Sequence, residues 1–172
     1  MDNPSLLAEL QRRFNYDPET GVLTYKVPTR QKKAGEVAGH HNWHTGYEEV
    51  WIGSRNMVVH RVCWVLHYGK EPDLVLDHIN RNPTDNRIEN LRDVSRSINA
   101  LNRGHKNTNS TGFRGVTKSG QRFMAGIRLD YKFHSLGCYS TAEEAAAVVQ
   151  TFLSSHGACH GTQDSPSLPE DN

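Results

Sequence analysis

LVLDHINRNPTDNRIENLRDVSRSINALNR, residues 74–103, sets a short apolar strand against a long polar loop. Leu74–Ile79 reads as a strand carrying Asp77 and His78 near its end. The loop over 80–90 is rich in Asn, Asp and Arg and holds one proline. Leu91–Val94 returns as a second strand, and Ser95 can cap a helix through Asn99 to about Arg103. Neighbouring side chains on a strand point to opposite faces, so Asp77 and His78 diverge. The carboxylate can face a cation while the imidazole beside it faces a water. An amide oxygen from the following helix would complete a pair of hard ligands, suited to Mg2+ or Mn2+ rather than zinc. Histidine fits a general base because its ordinary pKa lies near neutrality.

Upstream, Asn3-Pro4 reads as a helix N-cap and first turn, followed by Leu6, Leu7, Leu10 and Phe14 at helical spacing over residues 4–14. DPETG (17–21) is turn chemistry, and Val22–Tyr25 follows as a strand. Tyr47–Ile52 and Met57–His60 form a hairpin joined by GSRN. HRVCWVLHY (60–68) is a helix ending before Gly69.

Downstream, GHKNTNSTG (104–112) has linker composition. Residues 113–157 are three short strands and a helix. Arg122–Leu129 alternates: Phe123, Ala125, Ile127 and Leu129 share one face, Arg122, Met124, Gly126 and Arg128 the other. The apolar face calls for a helix, which TAEEAAAVVQTFL (141–153) provides, with a capping box of Thr141 and Glu144. Its stripe is Ala142, Ala145, Ala146, Val149, Phe152 and Leu153. Lys132–Tyr139 alternates poorly, which points to a bulge near Gly137. The last residues, TQDSPSLPEDN, have tail composition.

Composition sets bounds. The chain has 172 residues, 35% hydrophobic and 23% charged, enough for one ordinary domain or two small ones. No apolar run approaches a membrane span, and MDNPSLLAEL lacks the pattern of a secretory signal. Cys63, Cys138 and Cys159 form no CxxC pair, so neither a disulfide framework nor a cysteine zinc site is expected, and a reducing compartment is. Net charge is +1, but residues 81–133 hold eleven Lys/Arg against four Asp/Glu, while residues 134–172 hold five acids and no Lys or Arg. A basic middle is what a phosphate-binding surface requires.

Leu76 through Asn99 resembles the HNH nuclease motif, the ββα-metal finger of phage homing endonucleases, through Asp77-His78, Asn90-Leu91-Arg92 and Asn99. The resemblance implies one divalent cation, Mg2+ or Mn2+, per site, with Asp77 and Asn99 as ligands. It implies His78 as the base that activates water, and Asn90 as the residue that pins the loop and orients His78. Asn102, three residues beyond Asn99, is the ligand if the helix register differs. Asn in the third motif position points away from zinc. Residues 110–157 resemble the Apetala-type, ethylene-response-factor DNA-binding domain through FRGV (113–116), Phe123-Met124-Ala125, LGCYSTAEEAA (136–146) and Phe152. Phe123 stands where that family usually has tryptophan. FNYDPETGVLTYK and VAGHHNWHTGY, with His60-Arg61 after them, resemble the leading segment of such phage proteins.

The expectation is an α+β chain. Residues 1–103 hold an N-terminal helix and hairpins leading into the finger, 104–111 a linker, 112–157 a three-stranded antiparallel sheet on one helix, and 158–172 a tail. The expected partner is double-stranded DNA, contacted by Arg92, Arg96, Arg103, Arg114, Arg122 and Arg128, with the protein a monomer in the cytoplasm of the host cell. The expected activity is site-preferring phosphodiester hydrolysis. A catalytically silent, sequence-specific DNA-binding regulator is the alternative, and a nuclease toxin without sequence preference a third. His40, His41 and His44 are expected to be a His-rich hairpin loop rather than a metal site. His60 could support the site.

Overall fold

The computed structural model describes residues 5–102 and 110–157, which fall into two compact units, residues up to Val94 and residues from Ser95. Helix α1 is Leu6–Arg13. Its cap is Ser5, whose hydroxyl accepts from the Ala8 amide at 3.3 Å; Asn3 and Pro4 lie outside the described residues. The chain then forms β1 (Phe14–Tyr16), paired antiparallel with β2 (Leu23–Tyr25). Asp17 closes the turn between them, accepting from the Glu19 amide at 3.0 Å and the Thr20 hydroxyl at 2.8 Å.

Three further strands, β3 (His40–His41), β4 (Glu48–Ile52) and β5 (Arg55–Val58), form an antiparallel sheet in the order of the chain. Its second turn is the two-residue Gly53-Ser54, tighter than the four-residue GSRN expected, because Arg55 already pairs with Ile52. Helix α2 (Val59–Tyr68) follows directly and ends on Gly69 in the left-handed region (φ +74°). The next hairpin is β6 (Val75–His78) and β7 (Leu91–Val94), in the register Asp77 to Arg92 and His78 to Leu91. Leu10, Phe14, Leu23, Val50, Val62 and Leu76 belong to one core that joins all these elements.

In the second unit, α3 (Arg96–Asn102) starts where Ser95 accepts from the Ile98 amide at 3.3 Å. Expected with the preceding hairpin, it groups with the C-terminal sheet, because Ile98 and Leu101 pack on that sheet's core. Strands β8 (Val116–Ser119), β9 (Arg122–Leu129) and β10 (Lys132–Tyr139) form an antiparallel sheet with β9 central. The register slips between Ser135 and Gly137, the bulge that the poor alternation indicated. Helix α4 (Ala142–Ser155) begins in the Thr141–Glu144 capping box and buries Ala145, Ala146, Val149 and Leu153 against Ala125 and Ile127. Among the described residues no helix is long and apolar enough to cross a membrane. Residues 103–109, which include most of the expected linker at 104–111, and the expected tail at 158–172 lie outside the described residues.

Candidate active site

Asp77 and His78 sit side by side on β6, and both are buried, at 8% and 4% exposure. Strand geometry sends them into different surroundings. On one face, Asp77 lies opposite Arg92 on β7. The guanidinium donates to a single carboxylate oxygen of Asp77, Oδ2, from Nε at 3.0 Å and from Nη2 at 2.7 Å. Arg92, expected among surface DNA contacts, is thus drawn into this buried pair. Among the described residues no three His, Cys, Asp or Glu side chains gather as a metal cluster. One buried carboxylate that already attracts a cation suits an open site for a hard ion, completed by water and phosphate oxygens.

On the other face, His78 meets Asn86, which is 2% exposed. His78 Nε2 and Asn86 Oδ1 are 3.1 Å apart. The Asn86 amide nitrogen faces Glu48 Oε2 at 3.4 Å and the Thr84 carbonyl at 3.5 Å, which orients the amide. Its oxygen can only accept, so Nε2 carries the His78 proton and Nδ1 keeps the lone pair. Burial pushes the His78 pKa below its ordinary value, with Asn86, Asp77 and Asp85 pulling the other way. The ring is therefore neutral at physiological pH.

Two rings wall this pocket. His60, the second residue of α2, stands edge-on to His78 at 5.0 Å and 76°, and Tyr47 lies nearly parallel to His78 at 6.0 Å and 27°. Tyr47 and His60 also touch, 5.0 Å apart. Burial first, then His78 and Arg61, drive the His60 pKa down to about 3.

Asn90 holds the loop closed. Its side-chain oxygen accepts from the Asn80 amide at 3.0 Å, and its Nδ2 donates to Asn80 Oδ1 at 3.0 Å and to the Asp85 carbonyl at 2.7 Å. These bonds tie the loop at Asn80 and Asp85, and Asn86 hydrogen-bonds His78. Asp85, held at about 2 mainly by its hydrogen bond to Arg87, also binds Asn80 Nδ2 at 2.7 Å. From outside the loop, Tyr16 donates its hydroxyl to the Asn86 carbonyl at 2.7 Å, and the Ile88 amide donates to the Pro18 carbonyl at 3.1 Å.

Asn99 and Asn102 lie on α3 in the second unit, with Asn102 buried. Arg96 is exposed there, Arg114 donates to the Leu101 carbonyl, and Arg103 lies outside the described residues. On the face of β9 turned away from α4, Arg122 and Arg128 are exposed, and Arg122 Nη2 donates to the Cys138 carbonyl at 2.8 Å. Phe133, 57% exposed, covers Gly126 between them, where an added Cβ would meet its ring at 2.4 Å.

Asn86, Glu48 and Tyr47 escaped the sequence reading: an Asn in an Asn-rich loop carries no signal of its own. The Asp77–Arg92 pair did leave one, because counting register along the two expected strands places them opposite each other.

Residues 58–101 match the HNH endonuclease family. The matched segment spans all of α2, the β6–β7 hairpin with its loop, and most of α3. No curated protein matches the chain. Among solved structures, a match is the HNH homing endonuclease I-HmuI, whose title describes DNA binding and cleavage. It is 26% identical over 52% of this chain and 51% of that one, with a TM-score of 0.38. The chain therefore spans about half the length of that protein.

Proposed function

We propose that this chain is a site-preferring DNA endonuclease of the homing type that hydrolyses a phosphodiester bond with one divalent cation, Mg2+ or Mn2+. The observation that carries the reading is the paired arrangement on β6: a buried carboxylate, and beside it a buried imidazole whose Nε2 lies 3.1 Å from Asn86 Oδ1. When bound at Asp77, the cation would neutralise charge on the scissile phosphate and on the departing oxygen. His78 Nδ1 takes a proton from the attacking water, and Asn86 Oδ1, accepting from Nε2–H, steadies the imidazolium that forms. Asn90 keeps the loop that carries Asn86 in place. The family motif alone nominates Asn99 as the second oxygen ligand.

The C-terminal sheet is assigned to reading double-stranded DNA through Arg122 and Arg128, exposed on the face that α4 leaves open. A dedicated reader fits a site-preferring enzyme better than a degradative one, because base-edge contacts confer sequence preference and phosphate contacts do not. The Asp77–Arg92 pair is the one feature that favours a silent DNA-binding regulator, since a carboxylate held permanently by a guanidinium holds no cation. Purified protein on supercoiled plasmid separates the two. Nicking or cutting that requires Mg2+ or Mn2+, stops with chelator and is lost in His78→Ala with DNA binding retained is the expected result. Binding without cleavage at any metal concentration would overturn the nuclease reading, and cleavage by His78→Ala at the wild-type rate would overturn the assignment of the base.

A further inference from the structure

His60 is an expensive residue to keep where it is. It is 8% exposed, although an imidazole gains less from burial than an apolar side chain of similar shape. Its position gives the reason. The ring edge meets the His78 ring at 5.0 Å, and Tyr47 touches both rings. A histidine ring turns in a broad torsional well about its second side-chain bond; the hydrogen bond to Asn86 holds one atom of His78, and the two rings packed beside it bear on the plane of its ring.

We propose that His60, backed by Tyr47, is a positioning residue that fixes the ring plane of His78, so that Nε2 stays on Asn86 and Nδ1 stays aimed at the water. The inference rests on His78 as the general base. It goes further in assigning the tolerance for ring rotation to a residue that touches neither DNA nor the reacting atoms. An uncharged ring is what the place demands, because a cation there would oppose the charge that His78 acquires on taking the proton. The same burial that holds His60 neutral thus keeps it compatible with its neighbour's chemistry.

The test uses the full chain with His60→Ala and His60→Phe, read by single-turnover cleavage at saturating DNA, by DNA affinity without cleavage, by melting temperature, and by nitrogen NMR of the His78 ring in metal-free protein. His60→Ala should cut roughly 10²-fold more slowly, the scale of a misplaced catalytic group, with DNA affinity within about two-fold of wild type. His60→Phe keeps a neutral ring and should recover most of that loss. The NMR arm should show the Nε2–H form of His78 in wild type and His60→Phe, and mixed forms in His60→Ala. Should His60→Ala fail to fold, Tyr47→Leu against Tyr47→Phe poses the same question, with loss expected only for Leu. Wild-type cleavage by the Ala or Leu variant overturns the proposal, as does a folded His60→Phe as slow as His60→Ala. If the wild type cuts no DNA, the nuclease reading fails, and an unmixed His78 tautomer in His60→Ala would still refute the positioning role.

Discussion

Acid should destabilise the first unit through His60, and by an amount the structure sets. His60 has an ordinary pKa of 6.5 when unfolded and about 3 when folded, chiefly because burial disfavours its charged form. Its folded value is depressed, so between pH 6.5 and about 3 the unfolded chain binds a proton that the folded chain refuses. Stability that is fully present above 6.5 is therefore lost as pH falls towards 3. At about 1.4 kcal/mol per pH unit, the loss from His60 alone between pH 7 and pH 5 is about 2 kcal/mol. Asp85, held at about 2, stays ionised across that interval and adds no slope. His78 is also depressed and adds to the loss with the same sign, in wild type and variant alike. The chain's three tryptophans, Trp43, Trp51 and Trp64, all belong to the first unit, so their fluorescence reports its unfolding alone. Urea titrations at pH 7 and pH 5 should show a midpoint that falls by about 2 M more in wild type than in His60→Phe, for a slope of about 1 kcal/mol/M. Equal pH dependence in the two proteins would refute the reasoning, because His60 would then titrate as it does unfolded.

Four further outcomes follow from the same geometry. Arg92→Met takes the guanidinium away from the buried Asp77 carboxylate and should cost about 3–5 kcal/mol in metal-free protein; Mg2+ should restore part of it and bind more tightly than to wild type, both read by urea unfolding followed through tryptophan fluorescence. Asp77→Ala should raise the metal concentration needed for half-maximal cleavage more than Asn99→Ala does, since a carboxylate holds a dication better than an amide; a crippling Asn102→Ala with a silent Asn99→Ala would shift the ligand along α3. Gly21→Ala should cost about 1–3 kcal/mol and slow cleavage, because at φ +75° an added Cβ would sit 2.5 Å from the Arg87 nitrogen and 2.7 Å from the Asn86 carbonyl carbon. Against a panel of single-base variants of the target, Arg122→Ala or Arg128→Ala should lose about 1–3 kcal/mol at one position; uniform loss from both would make the sheet a positioning surface.

The second unit was nearly all legible in its sequence, since a central strand with one covered face prints its alternation residue by residue. Arg122–Leu129, the bulge at Gly137 and the Thr141–Glu144 box are local signals, each complete within a few residues. The β6–β7 hairpin was legible for the same reason. What surrounds His78 was not. Glu48 reaches Asn86 across 38 positions and Tyr16 reaches it across 70, and neither residue differs locally from an ordinary surface glutamate or strand tyrosine. Strand β1 went unseen because its three residues continue a helical pattern of apolar positions and become a strand only by pairing with β2. The Arg92–Asp77 pair is visible only when the two strands are set in register, because the charge count of the segment does not show which side chains lie opposite each other.

Asp77 and His78 show why two adjacent residues can be tuned in opposite directions. A strand sends them to different faces, and the chain furnishes each face separately. On the Asp77 side stands a guanidinium, which donates to the buried carboxylate at 2.7 Å. On the His78 side stand an amide, a phenol and an imidazole that burial keeps uncharged. Glu48 faces the other end of that amide, at the Asn86 nitrogen. A carboxylate placed directly on Nε2 would raise the imidazole's pKa and move its deprotonation to higher pH. The amide passes on the orientation without the charge. Asn86→Asp tests this directly, because it keeps the hydrogen bond to His78 and adds the charge. Cleavage by that variant should need a higher pH to reach its maximum, while Asn86→Ala should lose rate at every pH. An unchanged pH optimum in Asn86→Asp would mean that His78 is not the group whose deprotonation limits the reaction.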